Sequence, residues 1–461
     1  MHVRIKMPAT VCTVLDSLHA AGYEAYAVGG CVRDSILGRK PQDWDITTSA
    51  RPEQVKEIFD RTIDTGIQHG TVTVMIRGNQ HEVTTYRMDG EYTDCRHPEE
   101  VTFTSSLAED LKRRDFTINA MAYNDREGLV DLYGGVEDLQ RHVIRCVGDP
   151  MERFGEDALR IMRAVRFSAQ LDFGIDEKTL EAVRTLAPNL SKISAERICM
   201  ELTKLIVSDH PEYLRLAYET GITKIILPEF DAMMETEQNN PHHMYNVGDH
   251  TLAAMKAVKA DRILRLALLL HDIAKPVCKT TDEEGVDHFC GHGNAGAEMA
   301  VRIMRRLKMD NDTIRRVKTL VTYHDWRPEP SDKLVRRMIN KVGEELFPLL
   351  ICMQEADTRA QSEWQRDEKL RKIAQIKSIG ERIFAEGQCV NLKSLAIGGG
   401  DLLQMGVEKG PEIGRLLHLA LEEVLEEPAH NEKAYLTAFV QKELGAKEAK
   451  FLDKGMRVEY K

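Results

Sequence analysis

The first third of the chain alternates apolar and polar residues at the period of a β-strand. Thr71-Val72-Thr73-Val74-Met75-Ile76 and His81-Glu82-Val83-Thr84-Thr85-Tyr86 flank Arg77-Gly78-Asn79-Gln80, which reads as a hairpin turn. Helical periods are mixed with these strands, so residues 1–140 are expected to form an α+β head with a small mixed sheet. Strand patterns then become scarce. Residues 141–240 show helical periodicity as far as Pro228, and the polar stretch Gln238-Asn239-Asn240-Pro241 marks a boundary. Residues 241–370, with the apolar run Ile263 to Leu270, are expected to be all helical. Residues 371–461 carry Gly398-Gly399-Gly400 and Gly410-Pro411 before an apolar helix from Arg415 to about Leu425. No repeat or low-complexity tract interrupts this order.

A chain of 461 residues is long enough for three or more domains, each with its own core. Its formal charge of -11 does not advertise a nucleic-acid binder. An acidic total can conceal basic faces, and Lys112-Arg113-Arg114, the arginines from Arg153 to Arg166, and Arg302, Arg305 and Arg306 are candidates; each could equally be a solvated helix surface. The nine cysteines show no CxxC pairing, which points to free thiols in a reducing cytosol, with Cys31 a small filler. No segment reaches the roughly 20 apolar residues that span a bilayer. Met1-His2-Val3-Arg4-Ile5-Lys6 is not followed by a signal-peptide core, so a cytoplasmic protein with no membrane partner is expected.

Chemistry enters with Gly29-Gly30-Cys31-Val32-Arg33-Asp34, followed by Asp43-Trp44-Asp45-Ile46. On a strand, Asp43 and Asp45 would project from one face as paired hard oxygen ligands. Such a pair suits two magnesium ions gripping a nucleoside triphosphate, and Gly29-Gly30 would let backbone amides approach its phosphates. If the hairpin packs alongside, Glu82 completes an acidic cluster that helps deprotonate an attacking hydroxyl; otherwise it is a solvated strand glutamate. Two aspartates at this spacing also occur at strand ends and in turns.

Further stretches agree with that first motif: Thr65-Gly66-Ile67-Gln68-His69-Gly70-Thr71-Val72-Thr73-Val74, Arg113-Arg114-Asp115-Phe116-Thr117-Ile118-Asn119-Ala120, Asp131 with Gly134-Gly135 and Asp138-Leu139, and Glu156-Asp157-Ala158-Leu159-Arg160. Together they resemble the bacterial class II tRNA nucleotidyltransferases, the CCA-adding enzyme and poly(A) polymerase family. The resemblance implies a nucleotidyltransferase head in which Arg114, Asp115 and Asn119 contact the ribose and phosphates of the incoming nucleotide. It also implies a linking motif at Asp131 to Leu139, then a helical neck carrying base-reading Asp157 and Arg160.

The base-reading motif also has a physical rationale. One helix through Phe154 to Gln170 would place Asp157 and Arg160 on one face. A carboxylate accepts hydrogen bonds and a guanidinium donates them, so the pair complements the amine and ring nitrogen that cytosine and adenine both present. Guanine and uracil would leave buried groups unsatisfied at about 1–3 kcal/mol each. The alternative is a surface ion pair worth about 0.3–0.5 kcal/mol. Arg163 and Arg166 either meet triphosphate or RNA backbone or remain solvated. Between the hairpin and the second motif, Arg87 to Pro98 reads as a mobile loop. In the family such a loop accompanies the switch from cytosine to adenine addition, which argues against an enzyme adding only the two cytosines.

The second half has separate chemistry. His271-Asp272-Ile273-Ala274-Lys275-Pro276, at the end of an apolar helix, resembles the signature of HD-type metal phosphohydrolases. Imidazole and carboxylate together suit a transition metal or magnesium. The resemblance implies His250, His271, Asp272 and Asp357 as ligands of a first divalent metal, with His292 and His324 placed for a second metal or a phosphate.

The sequence pattern and these resemblances together predict an α+β nucleotidyltransferase head (1–140), an all-helical neck (141–240), an HD domain (241–370) and a helical body and tail (371–461), the last of which the resemblance implies binds tRNA. The expected reaction is template-independent addition of CCA to the tRNA 3′ end from CTP and ATP, with Mg2+ in the head and no DNA partner. Two alternatives stand beside it: an A-adding enzyme or poly(A) polymerase, and an HD phosphohydrolase whose head only binds RNA or nucleotide.

Overall fold

The computed structural model describes residues 4–89 and 101–456, so Gly90 to Pro98 of the loop predicted from Arg87 onward lie outside the described residues. The chain divides into two compact units. One comprises Met1–Thr236, Lys259–Leu266 and Arg302–Asp310; the other comprises Glu237–Val258, Ala267–Val301 and Asn311–Lys461.

The first unit opens with α1 (Ala9–Ala20), β1 (Ala25–Val28), α2 (Gly30–Ile36), β2 (Ile46–Thr48) and α3 (Pro52–Ile58), followed by β3 (Thr62–Gly66), β4 (Thr71–Ile76), β5 (Asn79–Thr85) and the short pair β6 (Arg87–Asp89) and β7 (Val101–Phe103). Helix α4 (Leu107–Lys112) precedes β8 (Met121–Asn124) and β9 (Gly128–Asp131). Seven of these strands make one mixed sheet in the order β3-β4-β5-β2-β1-β8-β9. Only β2 and β5 run parallel, with Ile46 opposite Val83. Alternation along the strands sends Val72, Val74 and Val83 into a core with Val11, Val14, Leu15 and Leu18 of α1 and Val55 of α3. Glu82 therefore faces the other way, opposite Thr73.

The hairpin is tighter than the sequence suggested. Its turn is Arg77-Gly78 alone, both with positive φ (47° and 81°), and Asn79 and Gln80 already pair with Ile76 and Met75. A two-residue turn of this hand follows the twist of the strands it joins.

Beyond the sheet come α5 (Gly135–Arg141), α6 (Pro150–Glu156) and α7 (Leu159–Leu171). The expected continuous helix from Phe154 to Gln170 is broken. Asp157 adopts extended backbone angles (φ -133°, ψ 101°), and its Oδ1 accepts a hydrogen bond from the Leu159 amide at 3.1 Å. An aspartate side chain that satisfies a helix's first amides starts a new helix rather than continuing the old one. Strands also reappear where none was expected. Val143–Ile144 pairs with Gly174–Ile175, and in the second unit Thr280–Thr281 pairs with Asp287–His288. The latter hairpin closes because Asp282 accepts bonds from the amides of Glu284 and Val286, and Gly285 takes φ 80°. The second unit is otherwise helical, and its C-terminal part has a core of Leu402, Leu416, Leu421, Val424, Leu425 and Leu436.

Candidate functional site

The first unit contains a polar cleft of about 650 Å³, lined by Gly29, Gly30, Arg33, Asp43, Asp45, Arg114, Asp115, Asn119, Arg163 and Arg166 among others. Gly29 carries φ 81° at the start of α2, and a Cβ there would stand 3.2 Å from the Arg114 guanidinium. Only glycine combines that conformation with so close an approach.

Asp43 and Asp45 do not sit on a strand as expected; both lie in the lead-in to β2. Asp45 nevertheless extends the ladder, because its carbonyl accepts the Val28 amide at 3.0 Å. The parallel register sets it alongside Glu82. Enclosure raises the Asp45 carboxyl above its ordinary value; Arg114 lowers it, and Glu82 and Asp43 raise it again. Three carboxylates within mutual influence, one of them reluctant to ionise, form a site that gains from a divalent cation.

The opposite wall is cationic and tightly connected. Burial alone would raise the Asp115 carboxyl, but two bonds from Arg163, at 2.7 and 2.5 Å, hold it at about 2. Asn119 donates to Asp115 at 3.2 Å and accepts from Arg33 at 2.6 Å. Arg166 pairs with buried Glu201, and the guanidiniums of Arg33, Arg163 and Arg166 all lie within 5.4 Å of the Phe167 ring centroid. Asp110, unremarked in the sequence analysis, is fully buried beneath this wall and accepts from Arg113, Arg114 and Thr47. Its spacing of three and four residues from the two arginines was the available signal.

Asp157 and Arg160 are not among the residues lining this cleft, and the Arg160 amide donates to the Asp157 carbonyl at 3.0 Å. Asp157 accepts from Arg197 at 3.0 Å. Arg160 donates to Glu156 at 2.9 Å and to the carbonyls of Arg153 and Arg113, each at 3.1 Å.

In the second unit, His250, His271, Asp272, His292, His324 and Asp357 converge. Helix Arg262–Leu270 ends one residue before His271. Asp272 stands between two groups. Its Oδ2 lies 3.2 Å from His271 Nε2 and 3.8 Å from His250 Nε2, and its Oδ1 lies 3.4 Å from His292 Nε2 and 3.7 Å from His324 Nε2. Asp357 closes the first group at 2.8 Å from His250.

Every one of the four imidazoles is oriented from behind. The Nδ1 atoms of His250, His271, His292 and His324 donate to the carbonyls of Ala360, Leu268, Phe289 and Val321. That turns each Nε2 inward, where a bound cation would take its lone pair. The Nε2 atoms of His292 and His324 stand 3.0 Å apart, and buried His271 Nε2 has no hydrogen-bond partner. Inward Nε2 atoms and carboxylates in two groups of three, sharing Asp272, fit divalent cations by donor chemistry. The sequence analysis missed His243, Lys275, Arg327 and Gln361 around this cluster. Lys275 binds Asp272 at 2.7 Å, and burial pushes His243 down to about 3. Among the described residues, no helix is long and apolar enough to cross a membrane.

Comparison with known proteins extends over almost the whole chain. Residues 25–145 match the poly A polymerase head domain, 172–234 a model described as "Probable RNA and SrmB- binding site of polymerase A", and 280–440 the tRNA nucleotidyltransferase domain 2. The CCA-adding enzyme of Levilactobacillus brevis is 37% identical over 93% of this chain and 96% of its own length. That of Limosilactobacillus reuteri is 54% identical over 43% of this chain, a match spanning about half (49%) of the relative's length. The crystal structure of the Bacillus stearothermophilus CCA-adding enzyme in complex with CTP superposes with a TM-score of 0.72 at 30% identity, covering 96% of this chain and all of that one. With the head's acidic cleft and a full-length likeness of this extent, the chain belongs to the CCA-adding enzyme family of tRNA nucleotidyltransferases.

Proposed function

We propose that this protein adds CCA to the 3′ end of tRNA from CTP and ATP, using residues up to about 140 as the catalytic head, 141–240 as the neck, 241–370 as an HD domain and 371–461 as the tRNA-holding body. The observation that carries this reading is the cleft that Asp43, Asp45 and Arg114 line, with Glu82 alongside Asp45 in the parallel register and within its electrostatic reach. Magnesium held by Asp43 and Asp45 would supply Lewis acidity toward the triphosphate and the attacking hydroxyl. Glu82 takes up the proton as the RNA 3′ oxygen bonds to the α-phosphorus and pyrophosphate leaves with the electrons of the broken bond. Gly29 and Gly30 allow the phosphates close approach, and Arg33, Arg114, Arg163 and Arg166 offset their charge. Asp115 holds Arg163 and Asn119 holds Arg33, while Asp110 and Glu201 hold Arg114 and Arg166.

Asp157 and Arg160 choose the base. Arg197 and Glu156 occupy their polar atoms in this structure, so a cytosine or adenine edge must replace those partners. The fully satisfied contacts to the carbonyls of Arg113 and Arg153 keep Arg160 in register while that exchange occurs.

The test is addition to tRNA lacking its terminal CCA, with CTP and ATP supplied singly and together, followed by sequencing of the products. Incorporation of ATP without any use of CTP would make the protein an A-adding enzyme or poly(A) polymerase instead. A second activity is favoured by the shared Asp272. His250, His271, Asp272 and Asp357 would hold one divalent metal, and Asp272, His292 and His324 another, supplying an activated water for phosphoester hydrolysis. Both activities would serve a cytoplasmic enzyme.

A further inference from the structure

Beside the histidine and aspartate cluster of the second unit lies a group of side chains that hydrolysis itself does not use. Trp364, in the connection between the helices Phe347–Arg359 and Arg366–Ala385, leaves 47% of its surface exposed. So large an apolar surface left open contributes little to the core. Its indole meets the His242 imidazole edge to face, with centroids 4.3 Å apart. Lys369 Nζ donates to His242 Nδ1 at 2.7 Å and to Gln361 Oε1 at 2.8 Å. Gln361 Nε2 lies 3.4 Å from Asp357 Oδ2 and borders the same cavity as Asp272, His292 and His324. The backbone secures the arrangement. Ser362 donates to the carbonyls of His242, through its amide at 2.9 Å, and of Pro241, through its hydroxyl at 2.5 Å.

An aromatic face, an ammonium and the cation-competent cluster thus follow one another along a continuous line of contacts. A nucleobase stacks on an aromatic face regardless of its identity, and an ammonium beside it suits the attached phosphate. A bare sugar phosphate would engage the cluster and leave Trp364 idle. We propose that Trp364 and His242 form a nucleobase-stacking subsite that makes the cluster selective for nucleotide esters, with Lys369 guiding the phosphate toward Asp357. Binding at this subsite stands on its own geometry; only the fate of the bound ester rests on the hydrolytic reading above.

The nucleotide can be free or the last residue of an RNA, and one experiment separates the two. The chain has three tryptophans, so the full-length W44F/W326F protein retains Trp364 as its sole indole. Its fluorescence is followed during titration with adenosine 3′-monophosphate, a short RNA ending in a 3′-phosphate, and ribose 5-phosphate. Quenching by either base-bearing probe and not by ribose 5-phosphate is the expected result, and a response to the RNA alone identifies the RNA end as the ligand. Trp364→Leu in the otherwise unmutated protein should raise KM for hydrolysis of the responding probe about tenfold at similar kcat, the loss of one stacked base. Trp364→Phe should restore it. No quenching by any probe, or equal quenching by ribose 5-phosphate, overturns the subsite. Quenching without hydrolysis refutes the hydrolytic reading and leaves the subsite standing.

Discussion

Asp115 is the buried carboxylate around which the basic wall of the first cleft is organised, and Asp115→Asn removes its charge at almost constant volume. Burial would raise the carboxyl, yet the Arg163 guanidinium and the Asn119 amide hold it at about 2 against an ordinary 3.8. At 1.36 kcal/mol per pH unit, that displacement corresponds to about 2 kcal/mol of stability. The sign follows from proton uptake. The unfolded chain binds a proton at this carboxyl near pH 3.8 and the folded one only near 2, so the stabilisation is complete at neutral pH and declines as acid is added. About half remains at pH 3. The variant should therefore be less stable by about 2 kcal/mol at pH 7 and by about half that at pH 3. Trp44 packs against the core of the first unit, so urea titrations in a W326F/W364F background, followed by fluorescence, report that unit separately. A deficit that stays constant from pH 7 to pH 3, or none at pH 7, would show that the Arg163 pair is not what lowers the carboxyl.

Four other outcomes are expected. Asp45→Asn should abolish nucleotide transfer while the thermal midpoint falls little or rises, because it relieves repulsion from Asp43 and Glu82; retained transfer removes Asp45 from the site. Arg160→Ala should relax the choice among the four nucleoside triphosphates, measured by single-nucleotide extension, more than it slows CTP addition, and uniform slowing with selectivity kept argues against base reading. His271→Ala should eliminate phosphoester hydrolysis and leave CCA addition intact in the same preparation; loss of both would couple the two sites. Gly135→Ala should destabilise the first unit by about 1–3 kcal/mol in the same urea assay, since a Cβ there would stand 2.4 Å from the Thr117 carbonyl and 2.9 Å from Met121; an unchanged midpoint would mean the backbone yields freely.

Short-range chemistry was legible in the chain. Gly29-Gly30, Asp43 and Asp45 marked residues that the structure gathers in one cleft, and the His271-Asp272 step marked residues of the second cluster, because each depends on residue type and spacing over a few positions. The alternation over 71–76 and 81–86 likewise marked the two strands that the structure forms as β4 and β5. The break at Asp157 was not legible. A helical period through Phe154 to Gln170 cannot reveal that the Asp157 side chain satisfies the Leu159 amide, and this local bond outweighs continuing the helix. Nor could spacing show that Arg160 binds the carbonyl of Arg113, 47 residues away.

The sequence alone determined which functional groups exist and where strand and helix periods run, since both follow from local pattern. Tertiary structure decided which groups meet: the parallel register that sets Asp45 beside Glu82, the buried Asp110 under Arg114, and the single Asp272 shared by four histidines. Those meetings join positions tens of residues apart, and only packing of the whole sheet and of the helices around it selects them from the many pairings that local patterns allow.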